Sequence, residues 1–303
     1  MRNIEKLAAT LAGQGITAHT GVPLSEKCTF RIGGAADLFV QPCSEDEIAQ
    51  VFTLAHEHDV PLLVLGRGSN VLFADSGYRG AVLHLGKQYS RIWRQDGHII
   101  CESGASLSEL CEFAEKNGLA GLEFAHGIPG TVGGALFMNA GAYGGQVSDV
   151  IHSARFIDER GQATELNPEQ MALDYRHSAF MGMRGAITRA TFRLAPGDPA
   201  QIRAKMDGFM QRRREKQPLE HPSAGSTFKR PPGNYASALI DDCGLKGLKI
   251  GGAAVSEKHA GFVINTGGAT AKDVLAVIAA VQQTVREKTG YELECEVKTI
   301  DGN

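Results

Sequence analysis

The stretch GIPGTVGGALFMNAGAYGG, from Gly127 to Gly145, decides how the rest of the chain is read. Seven of its nineteen residues are glycine and none is charged. It is too apolar for a flexible linker. It is too glycine-rich for an ordinary helix or strand, where each glycine costs roughly 0.5–1 kcal/mol against alanine. A backbone of this kind comes very close to something. One reading is a phosphate-bearing ligand, gripped by main-chain N–H groups that no side chain obstructs. The other is a tightly packed set of turns between strands. The stretch alone does not separate the two.

Upstream lies a second glycine site. Val60 to Leu65 reads as a buried strand, VPLLVL, and Gly66-Arg67-Gly68-Ser69-Asn70 follows it. A strand followed by G-x-G invites a dinucleotide-binding βαβ reading, which fails on three points. Position 71 is valine where the third glycine belongs, Leu72 to Leu85 reads as turn and strand with no long helix, and the acidic residue on a second strand is missing. The loop remains a good anion-binding turn, with two glycines, the Ser69 hydroxyl and the Asn70 amide. Two phosphate-suited loops without a P-loop lysine point to a pyrophosphate cofactor gripped from two sides, such as a flavin dinucleotide in the other major flavin fold.

The totals are those of a globular enzyme-sized chain: 303 residues, 43% hydrophobic, 21% charged and a formal net charge of −3. That length gives one large domain or two ordinary ones. The charge balance offers no basic excess for nucleic acid and no acidic tail. Glycine, 37 residues, exceeds its usual share of about 7% but clusters without a repeat, so collagen-like and low-complexity readings fail. Cys28, Cys43, Cys101, Cys111, Cys243 and Cys295 form no C-x-x-C pair, so no zinc or redox motif is present. MRNIEKLAATLAG carries charges where a secretory signal needs an apolar core, and no apolar run reaches the length of a membrane span. A cytoplasmic protein with reduced thiols, no membrane span and no obligate protein partner is expected.

Along the chain, helices and strands alternate. Ile4, Leu7, Ala8 and Leu11 mark a first helix, stopped at Gly13. Thr29 to Gly34 reads as a glycine turn beside a strand over Ala35–Val40. Ser44 with Glu47, Ser106 with Glu109, and Thr270 with Asp273 are capping pairs that start helices. Strands are expected near Ala81–Leu85, His98–Cys101, Val150–Ile157, Ile187–Leu194, Lys249–Val255, Gly261–Asn265 and Tyr291–Ile300. A short helix is expected around Tyr235–Asp241. Asp198 and Pro199 open a helix whose inner face is Ile202, Met206, Phe209 and Met210 and whose end is Arg212, Arg213, Arg214 and Lys216. That cationic end suits the helix macrodipole or a phosphate equally well. The result is an α+β chain in two parts, about 1–196 and 197–303.

Several segments carry a resemblance. LGRGSNVLF (65–73), GIPGTVGGALFMNAGAYG (127–144), YRHSAF (175–180), AGSTFKRP (224–231), KHAGFVIN (258–265) and LECEV (293–297) are similar, in order and over nearly the whole chain, to the UDP-N-acetylenolpyruvoylglucosamine reductases of bacterial cell-wall synthesis. The glycine motifs are shared with a broader vanillyl-alcohol-oxidase-like flavoprotein superfamily; the YRxSxF, GSxFKxP and LExEV set is much more specific. Little sequence separates Tyr175–Phe180 from the strand near 187, which resembles the shorter, second type of the family. The resemblance implies an FAD-binding domain of the PCMH type over 1–196, with its core at about 29–196, and a smaller α+β substrate-binding domain over 197–303. It implies non-covalent FAD, NADPH as reductant, and reduction of the enolpyruvyl ether of UDP-N-acetylglucosamine to UDP-N-acetylmuramate for peptidoglycan synthesis.

By the same resemblance, the catalytic residues are Arg176, Ser226 and Glu296. Ser226 matches the proton donor; apart from the motif it reads as a turn serine beside glycine. Arg176 matches the carboxylate-binding arginine, for which a planar guanidinium is suited. Glu296 matches the second glutamate of LExEV. On a strand it would share a face with Glu292 and Glu294, and near a substrate carboxylate it would be pushed towards its hydrogen-bond-donating acid form. Gly66, Arg67, Gly68, Ser69, Asn70, Gly127, Ile128, Pro129, Gly130, Gly133, Asn139, Ala140, Gly141 and Tyr143 would hold the cofactor. Tyr143 either stacks on a ring or fills a turn. Tyr175, Lys216, Lys229 and His259 would bind the sugar nucleotide, and no metal is expected. Arg230 and Cys295 depart from residues common at those places. The alternatives are a flavin-dependent sugar or alcohol oxidase and a non-catalytic nucleotide-sugar-binding protein.

Overall fold

Short polar side chains start the helices where the sequence predicts. Ser44 accepts the N–H of Glu47 at 3.2 Å ahead of Glu45–Glu57. Ser106 and Glu109 form a reciprocal capping box ahead of Leu107–Lys116, and Thr270 and Asp273 form another ahead of Ala271–Thr289. Asp198 accepts the N–H of Ala200 at 2.9 Å as Pro199–Lys216 begins. Each cap satisfies N–H groups that the first helical turn leaves open. The structure is a computed structural model that describes residues 3–302. It divides into two units, each drawn from separate segments of the chain.

The first unit comprises the chain up to Gly21, Asp37–Arg67 and Gly80–Arg212. It contains a four-stranded sheet in the order Ala18–Pro23, Ala35–Val40, Tyr78–His84, Leu62–Leu65, in which the last two strands run parallel. The ends of three of these strands are where the chain passes into the second unit. Ile48, Val51 and Leu54 of Glu45–Glu57 pack here with Leu7, Leu11, Leu38 and Leu83. A five-stranded antiparallel sheet runs in the order Ala163–Leu166, Ile151–Asp158, Gly185–Phe192, His98–Glu102, Ile92–Gln95. Its core joins Ile99, Ala154 and Phe192 to Leu107, Leu110, Leu136, Ile202 and Met206.

The second unit comprises Val22–Ala36, Gly68–Arg79 and the chain from Arg213 onward. Its sheet runs Ser223–Ser226, Phe262–Asn265, Ala253–Val255, Lys249–Ile250, all antiparallel. Helix Ala271–Thr289 buries Val274, Val277, Ile278, Val281 and Val285. The two early segments belong here for definite reasons. Val71–Phe73 pairs in parallel with Lys298–Ile300. The Thr29 hydroxyl donates to the Ser223 carbonyl at 2.6 Å, and the Asn265 amide donates to the Phe30 carbonyl at 3.2 Å.

Three features differ from the sequence reading. The units divide at Arg212 and Arg213, inside helix Pro199–Lys216, and not ahead of it, because Ile202 and Met206 bury in the core of the first unit. The glycine stretch contains a helix, Val132–Phe137, despite Gly133 and Gly134. The expected strand Tyr291–Ile300 is a ladder only over Lys298–Ile300; its earlier part meets Phe228–Lys229 through the isolated bridge Phe228–Cys295. Glu292, Glu294 and Glu296 therefore do not share one face of a regular strand.

Candidate active site

In the first unit the two glycine sites touch. A Cβ on Gly66 would collide with the Thr131 hydroxyl. Thr131 caps Val132–Phe137, its hydroxyl accepting the Gly134 N–H at 3.4 Å. A Cβ on Gly133 would stand 2.9 Å from the Ser103 Cβ, and one on Gly145 would stand 2.7 Å from the Phe124 ring. Real Cβ atoms do not sit so close, so packing within the protein already demands these glycines. Gly144 is different: a Cβ there would meet nothing within 4 Å. Its φ of +87°, with +53° at Tyr143, makes the two-residue turn of a hairpin in which Ala142 pairs with Gly145.

Tyr143 fills that turn. Its ring stacks on Phe209 at 4.4 Å with 1° between the planes, and its hydroxyl donates to the Phe209 carbonyl at 3.2 Å. Asn139, buried and at φ +41°, shapes the stretch from within. Its amide nitrogen donates to the Asp174 carbonyl at 3.1 Å, and its oxygen accepts the Ser148 N–H at 2.9 Å. Main-chain bonds hold Ile128 to Ala125, Gly130 to Ile128 and Ala140 to Ala135. Pro129 has no N–H to give.

The donors that remain fit a pyrophosphate cofactor. The N–H groups of Arg67, Gly68, Ser69 and Asn70 donate to no acceptor among the described residues, although Gly68 is buried. A consecutive row of such donors at a glycine turn is an anion cradle, since buried main-chain donors require a partner. Gly68 must be glycine, because its φ is +64° and a Cβ would press on the backbone of Lys27 and Cys28. Two buried polar atoms flank the long stretch: the Ser103 hydroxyl beside Gly133, and Nδ1 of His126, directly before Gly127. Neither has a partner among the described residues. Sequence reasoning passed over Ser103, His126 and Thr131; only the threonine ahead of a short apolar run offered a signal.

Arg176 sits on a tight turn. Asp174 and His177 exchange both main-chain bonds at 3.1 Å, which leaves Tyr175 and Arg176 at the tip. Arg176 takes φ +52°, a strained conformation for a non-glycine residue and of a kind that clusters at functional sites. Its guanidinium donates to the Gly141 carbonyl at 3.2 Å and lies 5.2 Å from the exposed Tyr175 ring. The Ser178 hydroxyl donates to the Phe137 carbonyl at 2.7 Å. The expected carboxylate ligand is thus fixed on the expected flavin stretch.

In the second unit, Ser226 ends its strand at an irregular register, with Gly225 at φ +76°. Such a bulge re-aims a side chain, and Ser226 is exposed. Thr227 and Lys229 bind the segment that holds Glu296. The Glu296 N–H donates to the Thr227 carbonyl at 2.8 Å, and the Lys229 N–H donates to the Glu294 carbonyl at 2.8 Å. Ser226 and Glu296 therefore stand on adjoining backbone segments. The Lys229 ammonium pairs with Glu294 at 2.5 Å. Arg230 stacks over Tyr235 at 4.4 Å. His259 accepts the Gly261 N–H on Nδ1 at 3.1 Å, which leaves its proton on Nε2. Burial, and then the charges of Lys246 and Lys216, push the His259 pKa down, so the ring is a neutral donor near pH 7. Lys216 is exposed at the end of its helix.

Comparison with known proteins gives this arrangement its family. Residues 36–167 match an FAD binding domain, and residues 217–300 match the UDP-N-acetylenolpyruvoylglucosamine reductase C-terminal domain. A UDP-N-acetylenolpyruvoylglucosamine reductase of Clostridium perfringens is 50% identical over 92% of this chain and 91% of its own length. The chain belongs to the UDP-N-acetylenolpyruvoylglucosamine reductase family. A member from Shouchella clausii is 49% identical over 96% of this chain and 93% of its own length. The crystal structure of the Thermus caldophilus reductase superposes with a TM-score of 0.80 at 33% identity, over 94% of this chain and 98% of that one. A moss protein titled BBE-like 1, at 17% identity and a TM-score of 0.50, shares the fold alone. Among the described residues, no helix is long and apolar enough to cross a membrane and no side-chain cluster is suited to a metal ion.

Proposed function

We propose that the chain reduces UDP-N-acetylglucosamine enolpyruvate to UDP-N-acetylmuramate with NADPH as reductant, the activity of its family, using Arg176, Ser226 and Glu296. The observation that carries the site reading is the Arg176 guanidinium held at Gly141, which puts the carboxylate ligand on the stretch that suits the flavin. FAD, when bound, would supply the hydride chemistry between NADPH and the terminal enolpyruvyl carbon. The donor row of Arg67 to Asn70 would hold its pyrophosphate, and the glycine stretch with Ser103 and His126 would line the cofactor. Arg176 grips the substrate carboxylate and stabilises the charge that develops on it. Ser226 gives its hydroxyl proton to the neighbouring carbon, which completes the lactyl ether. Glu296 donates a hydrogen bond to the carboxylate in its acid form. Lys216 and Lys229 meet the diphosphate, with Lys229 exchanging its Glu294 partner, and the His259 Nε2–H contacts the sugar nucleotide. Flavin binding falls to the first unit with the Gly66–Asn70 loop, and sugar-nucleotide binding to the second. A cytoplasmic location is part of the same proposal.

The test is a visible spectrum of the purified protein, followed by anaerobic NADPH and then the enolpyruvyl substrate. Yellow protein that bleaches with NADPH and recolours with substrate supports the reading. Colourless protein after reconstitution with FAD sinks the cofactor assignment, and bleached flavin that the substrate does not recolour sinks the substrate assignment.

A further inference from the structure

Asn70 closes the flavin loop and opens Val71–Phe73. Val71 pairs with Lys298 in the parallel ladder, and the Lys298 N–H donates to the Asn70 carbonyl at 3.0 Å. In a regular parallel ladder the next rung back is a main-chain N–H of residue 70 donating to the carbonyl of residue 296. That rung is made differently here. The Asn70 side-chain amide donates to the Glu296 carbonyl at 3.2 Å, while the Asn70 main-chain N–H donates to no acceptor among the described residues. The side chain replaces the main chain. The ladder keeps its hold on Glu296, and the main-chain N–H joins the anion-binding row of the loop. The Glu296 backbone is then fixed on both sides, by Asn70 at its carbonyl and by Thr227, the neighbour of Ser226, at its N–H.

We propose that the Asn70 side chain is a positioning residue for Glu296, tying the cofactor loop to the residue that meets the substrate carboxylate. This rests on the proposed roles of FAD and Glu296. Asparagine is the residue the geometry requires. Aspartate has the same shape without the donor, glutamine is one methylene too long for the rung, and serine is too short to reach the carbonyl.

The test is a double-mutant cycle on the FAD-loaded protein, with each half-reaction followed by stopped-flow absorbance. Asn70→Ser and Asn70→Asp are loaded with FAD, and the rate at which each bleaches with NADPH is the reference for its other half-reaction. Recolouring by the enolpyruvyl substrate should slow by at least about tenfold. Combined with Glu296→Ala, which removes the group outright, either change should slow recolouring by less than about threefold beyond Glu296→Ala alone, because the positioned group is already lost. A merely structural role would not give this saturation. Losses that multiply with those of Glu296→Ala would overturn the proposal, as would equal slowing of both half-reactions or loss of flavin, which would make the side chain a cofactor ligand. Two substitutions guard against one that fails to fold. Failure of the parent protein to recolour, or an unaffected Glu296→Ala enzyme, would count against the proposed function and not against the link.

Discussion

The glycine stretch Gly127–Gly145 and the Ser226–Glu296 segments solve opposite problems. In the first, the backbone comes close to other backbone and side chains of its own unit, and the Asn139 side chain points its polar groups inward. In the second, the backbone is tied down by its neighbours, while Ser226 is exposed and Glu296 half-exposed. One region omits side chains so that its own segments pack closely; the other immobilises main chain to present side chains. Glycine-richness in the first region therefore reflects close packing of the unit on itself.

Four measurements sharpen or break that contrast. Ser226→Ala should slow recolouring by substrate by roughly 10²–10⁴-fold, as expected for a lost general acid, while bleaching by NADPH stays close to the parent rate. Equal losses in both would make Ser226 a structural turn residue like those of the glycine stretch. Gly145→Ala forces a methyl group against the buried Phe124 ring, and overpacking of this kind destabilises by about 1–3 kcal/mol in urea unfolding. An unchanged midpoint would show that the stretch yields, and that its glycines serve the ligand alone. Gly144→Asn, next door, should cost about 1 kcal/mol or less, the strain of the left-handed backbone alone. The space beside it is open and asparagine tolerates φ +87° better than other side chains. A loss as large as that of Gly145→Ala would count against the turn assignment.

The smallest effect concerns His259 in the second unit. Burial lowers its folded pKa below the unfolded value of about 6.5. As pH falls, the unfolded chain takes up the proton first. The stabilisation is complete above about pH 6.5 and is lost as pH drops towards the folded value. Urea midpoints at pH 7.5 and 5.5 should therefore fall less for His259→Gln than for the parent. Equal falls would mean that the ring is not held neutral.

Much of this was legible in advance because it is local. Ser44, Ser106, Asp198 and Thr270 cap helices through atoms two to three residues away. The failed βαβ fingerprint around Gly66–Val71 correctly excluded a long helix there, since strand Tyr78–His84 follows. The helix inside the glycine stretch was not legible. Glycine's poor propensity argues against it, and only the close approach to Ser103 explains why Gly133 belongs in it. The strand expected over Tyr291–Ile300 was overextended because alternating residues satisfy a strand pattern whether or not a partner strand runs the full length.

By itself the sequence determined the α+β class, the helix starts, the two phosphate-suited loops and the family, all properties of residue type and short spacing. The tertiary structure decided which glycines the protein itself requires, and it assigned Ile202 and Met206 to the first core. It also turned Arg176 onto Gly141 and gave the Asn70 amide to a carbonyl 226 residues away. The physical reason is one of range. Caps and turns are local equilibria written in neighbouring residues, whereas a collision distance or a ladder rung exists only once distant segments have packed.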